Sequence, residues 1–293
     1  MEKGKLYLIP NTLDPDVGAV EAVLPALAIA KARELSRFVV EGERAAWRLL
    51  ARIKEREALA AVTMELLNEH SSPADLPRLL APLLAGEDLG LLSEAGLPCI
   101  ADPGAALVAA AHAAGIRVVP LVGPSSLLLA LGASGLDGQR FSFLGYLPQE
   151  GAQRRAALAA MDRGVRADGA TRLFIETPYR NDRLLADCLE ALSPDTMLCV
   201  AADLTLPSET LRSAPVAEWR KAASTIGKRP AVFLVGRRAG LAIQERAIQD
   251  RAVQERTGQD HGQGARPKAG PPGRPHAGKR PGGASAKPPK RRD

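Results

Sequence analysis

Short apolar runs alternate with longer stretches of helical periodicity through the first 240 or so residues, and no other feature restricts the fold as tightly. The runs fall at residues 5–9, 37–41, 61–66, 89–93, 117–122, 141–145, 173–176, 198–202 and 231–235, with helical patterns between most of them. Such alternation predicts α/β architecture with parallel or mixed sheets. Nine strands exceed a single mononucleotide-binding unit, so the expectation is two α/β domains joined in the glycine-rich stretch 123–138, one over residues 1–122 and one over 123–242. Aromatic residues make up only 3% of the chain, which argues for helix faces and aliphatic strands in the core and against an all-β sandwich.

The net charge of +6 is unevenly placed. Residues 243–293 hold 12 basic and 5 acidic residues, whereas the preceding 242 hold 27 basic and 28 acidic, so the folded part is close to neutral. Gln244-Glu245-Arg246-Ala247-Ile248 and its continuations repeat every five residues, a period that spirals around a helix without an apolar seam. From 257 onward, 8 Gly and 7 Pro in 37 residues, with no aromatic, predict a disordered basic tail. Electrostatic attraction to a polyanion is therefore expected from the tail first.

Cys99, Cys188 and Cys199 form no C-x-x-C pair and sit in apolar runs, so they read as small buried hydrophobes of a reducing, cytoplasmic setting. The four scattered histidines lack metal-ligand spacing, and no metal is expected. The stretch 118–136 carries no charge over 19 residues, close to the length of a bilayer span. Pro120, Gly123 and Pro124 break it, so it is read as a strand, a turn and a helix start, with no membrane association. No glycine fingerprint of a dinucleotide-binding strand–helix turn is present, and the one G-x-x-x-x-G-K match, Gly273 to Lys279, lies in the tail and lacks the following Ser or Thr.

Four strand-to-helix loops remain as candidate ligand sites. Ser93-Glu94-Ala95-Gly96 is a small-residue turn that lets backbone groups approach a ligand, and it leads to Asp102-Pro103, which reads as a helix N-cap and first turn. Gly123-Pro124-Ser125-Ser126 puts two hydroxyls at the positive end of a helix. Glu176-Thr177-Pro178-Tyr179-Arg180-Asn181 crowds polar groups at a strand end beside an aromatic, and Ala202-Asp203-Leu204-Thr205 is a weaker fourth case.

These residues carry a resemblance. The run Leu91-Leu92-Ser93-Glu94-Ala95-Gly96-Leu97-Pro98-Cys99-Ile100-Ala101-Asp102-Pro103-Gly104, then Val119-Pro120-Leu121-Val122-Gly123-Pro124-Ser125-Ser126 and Gly145-Tyr146-Leu147-Pro148, resembles the tetrapyrrole methylase superfamily, nearest its ribosomal RNA small subunit methyltransferase I branch. The resemblance spans roughly residues 4–237. It implies two α/β domains with S-adenosylmethionine in the cleft between them, in a homodimer. Matched residue by residue, it implies cofactor contacts at Pro10, Ser93, Glu94, Ala95, Gly96, Ser125, Ser126, Glu176 and Ala202.

Two departures stand out. The first loop reads Leu8-Ile9-Pro10-Asn11-Thr12-Leu13, where many members are glycine-rich. The second strand ends in Val40-Glu41-Gly42-Glu43-Arg44 in place of the branch's Glu-Asp-Thr-Arg, and a later Arg-Glu-Leu-Thr becomes Ala202-Asp203-Leu204-Thr205. The reading is an S-adenosylmethionine-dependent methyltransferase acting on a ribose 2′-hydroxyl of small-subunit ribosomal RNA, with RNA or the small subunit as partner. A tetrapyrrole or other small molecule is the alternative acceptor, and a nonenzymatic RNA-binding or assembly protein is the alternative from another class. A ribose hydroxyl must lose its proton to attack, which makes Glu176, Glu43 and Glu94 candidate bases, Glu176 foremost.

Overall fold

A computed structural model describes residues 2–238 of the chain. The expectations for the tail, its five-residue repeat and its basic Pro/Gly-rich stretch lie outside the described residues.

Among the described residues, ten strands form two sheets. The first contains β1 (Lys5–Ile9), β2 (Arg37–Val40), β3 (Thr63–Leu66), β4 (Leu89–Leu92) and β5 (Arg117–Pro120) in the order β3-β2-β4-β1-β5, every pairing parallel. The second contains β6 (Phe141–Tyr146), β7 (Thr171–Ile175), β8 (Met197–Ala202), β9 (Thr210–Pro215) and β10 (Ala231–Gly236) in the order β6-β7-β10-β8-β9. There β6 and β7 are parallel, and β10 runs antiparallel between β7 and β8. Both sheets belong to one compact unit.

The helices are α1 (Ala26–Glu34), α2 (Glu43–Ile53), α3 (Arg56–Ala60), α4 (Leu76–Leu84), α5 (Ala105–Ala113), α6 (Ser126–Ser134), α7 (Gly151–Asp168), α8 (Asn181–Ala191) and α9 (Val216–Trp219). Side chains of α1 and α2 (Ile29, Leu49, Leu50) cluster with Phe38 and Val40, whereas those of α4 and α5 (Leu79, Leu83, Leu107) cluster with Leu6, Val39 and Leu91. Alternate strand residues thus serve opposite faces, as continuous apolar runs in a doubly covered parallel sheet require. The second sheet packs α7, α8 and α9 against one set of its side chains and α6 against another. Phe174 and Phe233 stack within it at 5.6 Å between ring centroids.

Nine strands coincide with the predicted apolar runs to within two residues at each end, and β9 was not anticipated. It is an edge strand, Thr-Leu-Arg-Ser-Ala-Pro, whose only large apolar residue is Leu211 and whose last residue is Pro215. An edge position needs little hydrophobic face and tolerates a proline, so the pattern left it silent. The uncharged stretch 118–136 resolves into β5, a loop and α6. Among the described residues no helix is long and apolar enough to cross a membrane.

One local expectation is overturned. Asp102 does not cap a helix: α5 begins at Ala105, and its N-cap is Gly104 at φ 126°. A Cβ on Gly104 would lie 2.8 Å from Cys99 Sγ and 2.9 Å from Leu91 Cδ2, so glycine is required there for space as well as for conformation. The chain between Ser93 and Gly104 is consequently an extended loop, and Asp102 is left to another role.

Candidate functional site

The carboxyl ends of β1, β4 and β5 in one sheet, and of β7 and β8 in the other, border a single cleft. It encloses about 300 Å3, within the range of small-molecule sites. Its walls are apolar at Leu13, Leu97, Ile175, Leu204 and Val232, and small at Ala95, Gly96, Ala201 and Ala231. Among the described residues, the charged groups in its lining are Asp14, Asp102, Glu176 and Asp203, with no Lys, Arg or His.

Three loops build the near side. Asn11, buried after β1, donates from Nδ2 to the carbonyls of Ser93 (3.1 Å) and Glu94 (2.9 Å), and its Oδ1 accepts from Thr12 N. The backbone adds Asn11 N to Gly96 O at 2.8 Å and Gly96 N to Thr12 O at 3.3 Å, so the first loop clasps the turn after β4. Gly96 takes φ +68°, and a Cβ there would come within 3.3 Å of Pro124 O. Pro10 lies against Gly123: a Cβ on Gly123 would sit 2.1 Å from that of Pro10.

The far side is built by the loops after β7 and β8. Glu176 is buried (5% exposed). Its Oε1 accepts from Thr177 N (2.7 Å), Thr177 Oγ1 (3.4 Å) and Arg180 Nη2 (2.7 Å), while Oε2 is buried without a hydrogen-bond partner. Asp203 pairs with Arg229 at 3.3 Å. Among the described residues, the non-glycine residues at positive φ are Cys99, Ala101, Asp203 and Thr205, all in loops that line or adjoin the cleft. Strain of this kind costs about 1–3 kcal/mol per residue and concentrates at ligand-holding loops.

Acidic groups crowd the near side. Glu94 N donates to Glu41 Oε2 at 3.1 Å, and burial, opposed by that bond, raises the Glu41 carboxyl above its ordinary value. Asp102 is pushed up to about 7 by burial, then by the charges of Glu41 and Glu94, against a hydrogen bond from Ser93. A carboxyl poised near neutrality in a cleft can exchange a proton at working pH.

Of the residues singled out from sequence, Ala95, Gly96, Ser125, Ser126 and Glu176 line the cleft together. Ser125 is the N-cap of α6, yet its side chain makes no capping hydrogen bond. The others stand behind the wall: Pro10 packs on Gly123, Ser93 Oγ turns to Ala95 O, Glu94 is exposed toward α2, and Ala202 is buried between the lining residues Ala201 and Asp203. Glu43 is exposed on the first turn of α2, away from the lining. Sequence reasoning missed Asn11 and misassigned Asp102. An amide just after an apolar strand is the signal for the first, and an Asp in a long small-residue loop for the second.

The sequence profile of the tetrapyrrole (corrin/porphyrin) methylases matches residues 19–219. The chain belongs to this family. Among curated relatives, it is 35% identical to the ribosomal RNA small subunit methyltransferase I of Pseudomonas aeruginosa, over 74% of this chain and 72% of that protein. It is likewise 35% identical to the protein of the same name from Escherichia coli O157:H7, over 74% of this chain and 71% of that one. The branch suggested by the motifs is thus the branch of these relatives. Among solved structures, the methyltransferase CobJ superposes with a TM-score of 0.54 at 21% identity, over 80% of this chain and 94% of that one, which establishes the shared fold.

Proposed function

We propose that this family member transfers a methyl group from S-adenosylmethionine to a ribose 2′-oxygen of small-subunit ribosomal RNA. The observation that carries the reading is the lining of the cleft: apolar and small walls, four acidic side chains of which Glu176 and Asp203 are each paired with an arginine behind the wall, and, among the described residues, no basic side chain in the lining itself. Such a site suits a ligand that is cationic, rich in hydrogen-bond donors and partly aromatic, and it disfavours a phosphate. S-adenosylmethionine is such a ligand, with a sulfonium, an ammonium, an adenine amine and ribose hydroxyls. The unpartnered Glu176 Oε2 offers a buried acceptor to one of its donors. The names of the curated relatives support RNA as the acceptor.

When bound, the cofactor supplies an electrophilic methyl. The protein's own work is to hold the acceptor oxygen in line with it and exclude water. Glu176 Oε1 is already committed to three donors, one of them a guanidinium, so it is a weak proton acceptor. Asp102 lines the same cleft with its carboxyl near neutrality, and we place the ribose proton there. Gly96 and the Asn11 clasp keep the near wall thin enough for close approach of the ligand.

Radiolabelled cofactor incubated with small ribosomal subunits tests this directly. A methyl on a 2′-oxygen blocks alkaline cleavage at the neighbouring phosphate, so the label is expected in an alkali-resistant dinucleotide. Label released wholly as mononucleotide would mean a base acceptor, and label confined to small molecules would mean a tetrapyrrole-like substrate.

A further inference from the structure

Beside the cleft lies a second, more open recess of about 510 Å3, lined by Tyr146, Leu147, Pro148, Gln149, Thr177 and Arg180. Tyr146 belongs to both walls, so the recess and the cleft share an edge. We propose that this recess, with Tyr146, Tyr179, Lys228 and Arg183, is the surface that receives a single-stranded RNA segment and delivers its ribose to the cleft. The inference rests on the RNA reading above and adds where the acceptor docks.

Several observations converge on it. In a chain with 3% aromatic residues, Tyr146 and Tyr179 are 60% and 79% exposed; Tyr146 lines both the cleft and the recess, and Tyr179 lies in the chain between Pro178 of the cleft lining and Arg180 of the recess. Tyr146 is aimed there by the backbone. The register between β6 and β7 shifts between Phe143 and Tyr146, and Gly145 within the shift takes φ +67°. Such bulges re-aim a side chain at the end of a strand. Tyr179 sits in the 3-10 turn Pro178–Arg180, whose first residue lines the cleft.

Lys228 is held over the Tyr179 ring, 5.1 Å from its centroid, and the reason is structural. Asn181 Nδ2 donates to the carbonyls of Gly227 (3.2 Å) and Arg229 (2.7 Å), and Asp182 Oδ1 accepts from Ile226 N (2.6 Å) and Gly227 N (3.1 Å). The loop that carries Lys228 is therefore pinned to the start of α8. Arg183, one turn on from Tyr179, reaches the N-terminus of α7, where a Cβ on Gly151 would lie 3.4 Å from its Nη2. Among the described residues neither Lys228 nor Arg183 is in an ion pair.

The acidic groups nearby are engaged with their own surroundings: Glu150 caps α7 through Ala152 N and Gln153 N, Asp182 holds the 226–227 amides, and Glu176 faces Arg180. Exposed aromatic faces flanked by free cations are how sequence-tolerant single-strand binding is built, with bases stacked and phosphates neutralised. The division of labour keeps phosphates beside the exposed cations Lys228 and Arg183, outside the cleft, so that only an uncharged ribose need enter it.

The test uses the full chain, a fluorescein-labelled single-stranded RNA 12-mer of mixed sequence, and small ribosomal subunits. Y179A is expected to weaken 12-mer binding about 10-fold or more, as loss of one stacked base does, while Y179F retains it and cofactor affinity is unchanged in both. Y146A is expected to lose methyl transfer to the subunit RNA. Replacing Lys228 and Arg183 together with alanine should lower the slope of log affinity against log salt by roughly 1.4. If the parent methylates subunit RNA and the tyrosine variants bind and turn over as it does, the docking surface is overturned and the RNA reading stands. If the parent binds the 12-mer through these tyrosines but labels no RNA, the surface stands and the RNA methyl-transfer reading falls. A change in sedimentation of Y146A or Y179A with RNA affinity unaltered would make the recess a contact between copies, also overturning the proposal.

Discussion

Asp102 shows how one side chain can tie stability and turnover to the same proton. Its folded-state value of about 7 stands above the ordinary 3.8 because burial and the charges of Glu41 and Glu94 disfavour ionisation. Between those two values the folded protein holds a proton that the unfolded chain has released, so stability falls as pH rises through this window and is level above it. Asp102→Asn removes the penalty. Its melting temperature should match the parent near pH 4 and exceed it at pH 8, which a thermal melt series at fixed ionic strength reads out. Turnover should move the other way. In the parent, kcat rises with pH to a plateau above about 7, whereas Asp102→Asn retains cofactor affinity by calorimetry and loses roughly 100-fold or more in kcat, the size of a general-base contribution. Loss from Glu176→Gln with an unmoved pH profile would fit a ligand-holding carboxylate; loss of the profile itself would return the proton to Glu176.

At the scale of elements, the site depends on loops that hold one another. The turn after β4 is fixed by Asn11 from the loop after β1, and that loop is fixed in turn by Pro10 against Gly123 after β5. Asn11→Ala removes two donated bonds and one accepted bond from a buried position, and should cost about 1–3 kcal/mol of stability. Because the same bonds shape the wall at Ala95 and Gly96, cofactor affinity should fall by more than the stability change alone would bring. Urea titration paired with calorimetry separates the two, and Gly123→Ala should reproduce the pattern by driving Pro10 outward. These couplings were hidden in the sequence. Periodicity exposes which residues face a core, so nine strands and an α/β architecture of parallel or mixed sheets were legible; small-residue turns at strand ends marked Ala95, Gly96, Ser125 and Ser126, and a polar cluster at a strand end marked Glu176. Hydrogen bonds across 82 residues, as between Asn11 and Ser93, leave no periodic trace. Asp102 was misread for a related reason: Asp-Pro-Gly suits a helix start, but Gly104, wedged against Cys99 and Leu91, delays the helix until Ala105.

For the molecule as a whole, the problem is to attract a polyanion to a body that has almost no net charge. The first 242 residues carry 27 basic and 28 acidic side chains, and the cleft they form is lined by carboxylates. Residues 243–293 carry +7. Local cations such as Lys228 and Arg183 can orient a strand, but they are too few to supply long-range attraction, which falls off over about 10 Å at 0.1 M salt. We propose a division in which residues 243–293 raise the encounter rate and the described residues set position. Among the described residues all four hydrophobic clusters lie within residues 6–235, so a chain ending at residue 242 should melt as the parent does. Its affinity for the single-stranded 12-mer should fall at low salt, and the slope of log affinity against log salt should drop by about 2 or more if three or more phosphate contacts are lost, each counting roughly 0.7. With saturating small ribosomal subunits, kcat should be unchanged while KM rises if, as this division proposes, the chemistry belongs to the cleft and the capture to residues 243–293. An unchanged slope after truncation would place the attraction on the body instead, and the recess beside Tyr146 would then have to supply all of it.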